Sequence, residues 1–295
     1  MVNPFKLIGR YRRIKREVRF SRSTGGTIGI IIFLLFLGTL MFVPFYLMIV
    51  NSLKPIDEFF YWPPRLYVIN PTTNSFRVVF RILDTWMVPF SRFIFNSVFV
   101  TTMGMVLGIC IAALAAYPLA KAKVPGMKFI TAVVVGTLLF SNSSTDFVRF
   151  IIMSQFGMID TYWALIIPTL SGVVLVFLLR QFIEATIPDE ILEAARIDGG
   201  SEFAILFQIV IPMIKPAVMT AVVVTFPVLW STHGSGVYSE NLRTLPSVLA
   251  QIGLGGTAMQ GPAAAVGVII MVPSLFIFLY SQRSLMQTMS YSGIK

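Results

Sequence analysis

From Ile28 to Val50 the chain runs for 23 residues without a charged side chain. About 20 apolar residues let a helix cross the hydrocarbon core of a bilayer, so this interval alone directs the chain towards a membrane. The composition agrees. Hydrophobic residues make up 56% and charged residues only 12%, against about 45–50% and about 25% in soluble globular domains. That excludes an ordinary water-soluble enzyme and a disordered chain alike. A single cysteine, Cys110, excludes a disulfide framework and a cysteine-based zinc site. A single histidine, His233, excludes a multi-histidine metal site.

Charge-free intervals recur, and they predict six membrane-spanning helices. The first is Ile28–Val50. The second lies between Arg92 and Lys121, the third from Lys128 to about Asp146, and the fourth between Asp160 and Arg180. The fifth runs from Lys215 to about Ser231 and the sixth from about Pro262 to Ser281. The formal net charge of +10 is concentrated before the first of them, at Lys6, Arg10, Arg12, Arg13, Lys15, Arg16, Arg19 and Arg22. Such a cluster beside an apolar span marks the cytoplasmic side and an anionic lipid surface rather than nucleic acid. With the N-terminus inside and six spans, the outside segments hold Lys54, Arg65, Arg77, Arg81, Arg92, Arg149 and Arg243, only seven of the 23 basic residues. Both termini are therefore expected on the cytoplasmic side. The first apolar stretch is too long for a signal-peptide core and no small-x-small site follows it, so it reads as an uncleaved span.

The expected organisation is a basic cytoplasmic segment at 1–26 and a transmembrane domain at 27–295, with outer loops at 51–91 and 232–261 and a long inner loop at 181–215. Prolines at Trp62-Pro63-Pro64 and Asn70-Pro71 predict turns in the first outer loop. Its acids Asp57, Glu58 and Asp84 have no partner pattern that would make a catalytic cluster. No phosphate-cradling glycine loop, nucleophile elbow or His-Glu-x-x-His occurs, so no catalytic site is expected. Asp146 and Arg149 stand three apart and are expected to pair on one helix face. Buried charges are otherwise scarce, which weighs against an ion-coupled secondary transporter.

The inner loop carries the deciding pattern, PDEILEAARIDGGSEFAILFQIVIPMIKP from Pro188 to Pro216. Pro188 suits a helix start, and Asp189 and Glu190 complement the helix dipole there. Gly199-Gly200 stops that helix, Ser201 can cap a second one, and Ile211-Pro212 ends or kinks it. The product is a helix–Gly–Gly–helix unit. Its small residues Ala194, Ala195, Gly199 and Gly200 admit close approach by another backbone.

This unit resembles the EAA loop of bacterial ABC-importer permeases: Glu193-Ala194-Ala195, then Gly199, then Ile209-Val210-Ile211-Pro212, with Ile211 in place of the usual leucine. Asp198 before the glycine is the form of sugar permeases. Further similarity lies in Asn51-Ser52-Leu53-Lys54, Asn96-Ser97, Ala116-Tyr117-Pro118-Leu119-Ala120 and Ser292-Gly293-Ile294-Lys295. Together these resemble the six-span partner of the maltose-permease pair. Trp230-Ser231, where Trp-Asn is usual, and Ser235–Arg243 depart from the pattern, towards the outer side.

The resemblance implies an all-α integral membrane protein with the six-span type I importer permease fold, in the bacterial cytoplasmic membrane. It implies a second permease subunit, two ATPase subunits and an extracytoplasmic solute-binding protein as partners. ATP and magnesium would sit on the ATPases, with no cofactor in this chain. Glu193, Ala194, Ala195, Asp198, Gly199, Gly200, Ile209 and Pro212 would form the ATPase-coupling site, Glu193 as its charged contact. Asn96, Asn142, Ser143 and Trp230 are candidates for the sugar pathway, since hydroxyl, amide and aromatic groups recognise sugars. The competing reading is a secondary transporter or channel subunit not driven by ATP.

Overall fold

The computed structural model describes residues 24–137, 142–170, 172–231, 239–252 and 255–292, and every regular element among them is helical. The chain groups into two compact units, Met1–Val50 and Asn51–Lys295. The described part of the first lies in α1 (Thr24–Leu53). Ile32, Leu35, Phe36 and Met41 of α1 are all exposed, so the helix has apolar residues around its circumference. A helix without a polar stripe belongs in an apolar environment. The basic cluster before it lies outside the described residues.

The second unit contains α2 (Asn74–Asp84), α3 (Phe90–Lys121), α4 (Met127–Gly136), α5 (Asn142–Gln155), α6 (Tyr162–Ile166) and α7 (Val173–Thr186). There follow α8 (Asp189–Ile197), α9 (Glu202–Ile205), α10 (Ile211–Met213), α11 (Lys215–Trp230), α12 (Leu245–Ile252) and α13 (Gln260–Ser292). Among the described residues, three helices are long and apolar enough to cross a membrane: Gly25–Leu53, Phe90–Lys121 and Gln260–Gln282. Two bent pairs raise the number to as many as five. Tyr162–Leu170 meets Val173–Thr186 at 43°, and Glu202–Met213 meets Lys215–Trp230 at 80°. The six spans expected from charge-free intervals are thus not all found as spanning helices. The third interval gives the ten-residue α4 and then α5, with 138–141 between them outside the described residues. The Asp146 side chain also lies outside the description, so its expected pairing with Arg149 does too.

One helix, α3, runs through three successive apolar clusters. At its start Phe93 packs with Val79 and Leu83 of α2, Leu245, Val248 and Leu249 of α12, and Ala265 of α13. Midway, Val100 joins Leu165 and Ile166. At its end Ala112, Ala113, Ala116 and Tyr117 pack with Leu179 and Ile183 of α7, Leu192 of α8, Leu206 and Val210, and Ala217 of α11. Gly104, Gly108, Ala112 and Ala116 recur every four residues and so share a face. Small residues on such a face let neighbouring backbones come close. A Cβ on Gly104 would stand 2.7 Å from the Thr169 hydroxyl. That hydroxyl belongs to a stiff β-branched side chain and already donates to the Ile166 carbonyl at 2.6 Å. Gly104→Ala should therefore destabilise the protein by about 1–3 kcal/mol. Gly38→Ala, with open space around its Cβ, is the control. Thermal unfolding in one detergent compares them, and equal melting points would refute the close approach.

At the α2 end the connection between α1 and α2 is tied down by its own charges. Glu58, 6% exposed, accepts from the Ile69 N–H at 3.2 Å and the Asn70 N–H at 2.9 Å. Lys54, equally buried, donates to the Arg65 carbonyl at 2.6 Å. Asp57 and Asp84 are exposed, and Glu58 is a buried staple for the loop.

Candidate functional site

The 188–214 segment folds as its residues direct. Pro188 stands at the N-cap of α8, one position ahead of the helix proper, with extended backbone. Asp189 and Glu190 fill the first turn. The helix closes on Gly199, whose φ of +83° is a left-handed conformation that glycine adopts without strain. The Gly199 N–H donates to the Arg196 carbonyl at 3.0 Å and the Gly200 N–H to the Ala195 carbonyl at 2.9 Å. This is the Schellman closure. Gly200 is needed for space instead: a Cβ there would lie 2.9 Å from the Ala195 carbonyl oxygen. The Ser201 hydroxyl then accepts the Ala204 N–H at 3.3 Å and caps α9. Leu206–Val210 widens into a π turn, with the Ile211 N–H reaching the Leu206 carbonyl. Pro212 has no N–H to continue the ordinary ladder, and its ring crowds the carbonyl four residues back. The chain bends not at Pro212 but at Ile214, whose φ, ψ of −93°, 18° separates α10 from α11.

One face of the unit is buried. Leu192, Ile205, Leu206, Val210 and Ile214 are each at most 2% exposed, packed against α3, α7 and α11. The opposite face is bare. Ile197 is 86% exposed and Phe203 68% exposed. Glu193 and Ala194 stand four and three residues before Ile197, so each neighbours it on the surface of α8. Glu193 makes no ion pair among the described residues. Ala195, Gly200 and Ile209 are half-buried, and Asp198, Gly199 and Pro212 exposed. The expected coupling residues are thus brought together, with Ile209 and Pro212 a turn or more away along the second helix. Exposed large apolar side chains beside an unpaired acid mark a surface that another protein covers.

Charged groups hold the unit to the end of α3. The Lys121 ammonium donates to Asp189 at 2.9 Å and to the Ile187 carbonyl at 2.6 Å, and Lys123 reaches Asp189 at 3.2 Å. These hydrogen bonds, Lys121's first, hold the Asp189 carboxyl below its ordinary pKa. Across the Gly–Gly turn, the Arg196 Nε donates to Glu202 at 2.7 Å, and the Tyr117 hydroxyl of α3 donates to the same carboxylate at 2.7 Å. Sequence reasoning assigned neither Tyr117 nor Lys121 to the site. Tyr117 and Glu202 are 85 positions apart, and no local pattern announces the bond.

The pathway candidates scatter. Asn96 is fully buried, its amide donating to the Asn241 carbonyl at 2.8 Å and the Arg243 carbonyl at 3.0 Å. Its oxygen accepts from Tyr162 at 2.8 Å. The side chains of Asn142 and Ser143 lie outside the description. Trp230 is 7% exposed, stacks on Phe226 with centroids 5.8 Å apart, and its indole N–H has no partner among the described residues. It lines a cavity of about 630 Å³ with Thr101, Thr102 and Phe276.

Long apolar helices packed through a small-residue face define a helical membrane protein. No family model matches the chain. It is 30% identical over 213 residues to the sulfoquinovosyl glycerol transport system permease protein SmoH of Agrobacterium fabrum, covering 70% of this chain and 74% of that one. It is 29% identical over 238 residues to the polygalacturonan/rhamnogalacturonan transport system permease protein YtcP of Bacillus subtilis, covering 80% of each. A solved bacterial ABC transporter involved in import of the acidic polysaccharide alginate superimposes with a TM-score of 0.72 at 19% identity, over 90% of this chain and 99% of that one. The chain belongs to the carbohydrate ABC transport system permease proteins.

Proposed function

We propose that this chain is one permease subunit of an ATP-driven, binding-protein-dependent sugar importer, and that its 188–214 unit docks on a cytoplasmic ATPase. The observation that carries the docking is the two-faced unit itself. Its back is built into the core through Leu192 and Leu206, and its front leaves Glu193, Ala194 and Ile197 exposed, with no ion pair to Glu193 among the described residues. Saccharide is the cargo class, since the relatives and the structural neighbour are named for glycosides and polysaccharides. A second permease subunit covers part of the remaining apolar surface, and a solute-binding protein delivers the sugar on the outer side. ATP and magnesium act on the ATPases. The topology consistent with this has six spans in a bacterial cytoplasmic membrane, both termini inside and the type I arrangement. The described helices supply one polarity for it: Lys121 and Asp189 share one end, and Arg92, Asn96 and Arg243 the other.

Co-expression with a second permease and the ATPase tests the reading. Wild type should co-purify with the ATPase. Glu193→Lys, which changes no contact within this chain, should release it or weaken its hold by about tenfold, the equivalent of 1.4 kcal/mol. If no ATPase is retained by wild type, the importer reading fails.

A further inference from the structure

Both ends of α3 are bonded to segments that face outwards from opposite sides of the unit, and nothing in the sequence links the two. At the inner end one carboxylate, Glu202, accepts from Arg196 of α8 and Tyr117 of α3 together. Lys121, one turn on, holds Asp189 and the Ile187 carbonyl. Three elements therefore meet at the last turns of α3. The Gly–Gly turn between α8 and α9 is bridged by the Arg196–Glu202 pair. At the outer end the Asn96 amide holds the Asn241 and Arg243 carbonyls, and the Leu245 N–H donates to Ser97 at 2.7 Å. Arg92 adds a longer bond to the Asn241 carbonyl at 3.4 Å.

From Ser97 to Tyr117 the helix is continuous, a separation of about 30 Å at 1.5 Å per residue. Its backbone bonds are all internal, so displacement along the axis at one end arrives at the other.

We propose that α3 is the connecting rod of this subunit. Tyr117 and Lys121 are positioning residues that fasten it to the ATPase-docking unit, and Asn96 and Ser97 fasten its other end to the 239–245 segment. This rests on the importer reading and deepens it. Movement of the docking unit on ATP binding is delivered to the outer loop through α3 rather than through the loops that flank the unit.

A reporter on the outer loop tests it without knowledge of the sugar. Cys110→Ala clears the only native thiol and Glu240→Cys places one on an exposed position. In the assembled complex with its ATPases, the labelling rate of that cysteine by a maleimide is compared without nucleotide and with Mg-ATP plus vanadate. A response of about fivefold is expected, the low end of ordinary coupling between distant sites. Tyr117→Phe keeps the ring in the core and removes only the bond to Glu202. It should lower the response measurably, with the amount of co-purified ATPase quantified alongside so that a lost response is read only from complexes that retain it. Lys121→Gln is a second variant at the same end, and Ser97→Ala should do the same from the other end. Combining Tyr117→Phe with Ser97→Ala should be no worse than either alone, since cutting one rod twice cuts it once.

If the ATPase is retained and the inner variants leave the fivefold response intact, the connecting rod is overturned and the importer reading survives. Effects of the two ends that multiply in the double variant overturn it equally, because they describe two independent routes. A parent complex that retains no ATPase overturns both.

Discussion

Gly200→Val should cost the subunit its hold on the ATPase almost completely while leaving the rest of the membrane domain folded. The expectation comes from one distance. A Cβ on residue 200 would stand 2.9 Å from the Ala195 carbonyl oxygen, and that oxygen is backbone already receiving the Gly200 N–H. It cannot rotate away as a side-chain end could. A valine adds two further carbons and is stiff about χ1. Over-packing of this kind costs about 1–3 kcal/mol in a closed site. The relief available is to open the turn, which swings Glu193, Ala194 and Ile197 away from Phe203. If about 2 kcal/mol is needed to restore the docked shape, apparent affinity for the ATPase falls about thirty-fold. Gly199→Ala should be milder, at about 1–2 kcal/mol, because its cost is only the left-handed φ of +83° with open space around the new methyl. Titration of the purified permease complex with ATPase measures both. An ordering in which Gly199→Ala is worse than Gly200→Val would show that conformation, not space, closes this turn.

That contrast also marks how far the sequence could be read. The local fold of the 188–214 segment is almost wholly legible because its signals are local. Pro188, the acidic first turn, Gly199-Gly200 and Ser201 each act on neighbours within five residues, and each does so in the structure. The bend was placed two residues early. Pro212 announces that a helix is disturbed, but here the disturbance is taken up by a π turn before it, and the break falls at Ile214. Which of two adjacent turns yields is decided by packing, since Val210 and Ile214 are both fixed in the core.

The spans were legible only where one apolar run is one helix. α1, α3 and α13 satisfy that condition. Between Asp160 and Arg180 the composition is equally apolar, yet Pro168 and Gly172 break the run into two pieces at 43°. A charge-free interval reports the solvent a segment prefers and not whether its helix is continuous. The least legible part was the function of polar residues near the spans. Asn96, Ser97 and Trp230 look alike as sugar-binding groups in sequence, because hydrogen-bonding capacity is visible there and the partner that uses it is not. Tyr117 was visible only as part of a resemblance, and Glu202 only as one more acid in the inner loop.

Asn96 and Trp230 should accordingly respond to mutation in opposite ways. Asn96→Leu keeps a similar volume but strips the donors from two carbonyls, Asn241 and Arg243, and the acceptor from the Tyr162 hydroxyl. Each buried polar group left unpaired costs about 1–3 kcal/mol, so a loss of about 3 kcal/mol or more is expected. It should be seen as an earlier thermal transition in detergent and a lower yield of assembled complex. The transporter that does assemble should keep its half-saturating sugar concentration, because the amide is fully buried and both of its N–H donors are taken by backbone carbonyls. Trp230→Phe removes an indole N–H that has no partner among the described residues and keeps a ring to stack on Phe226. Its stability should fall by about 1 kcal/mol for the ring volume lost from a buried side chain, less than for Asn96→Leu. If the cavity that Trp230 lines admits sugar, the change appears also in the half-saturating concentration. A Trp230→Phe as destabilised as Asn96→Leu with unchanged transport, or a stable Asn96→Leu with impaired sugar affinity, would reverse the two assignments and return Asn96 to the pathway.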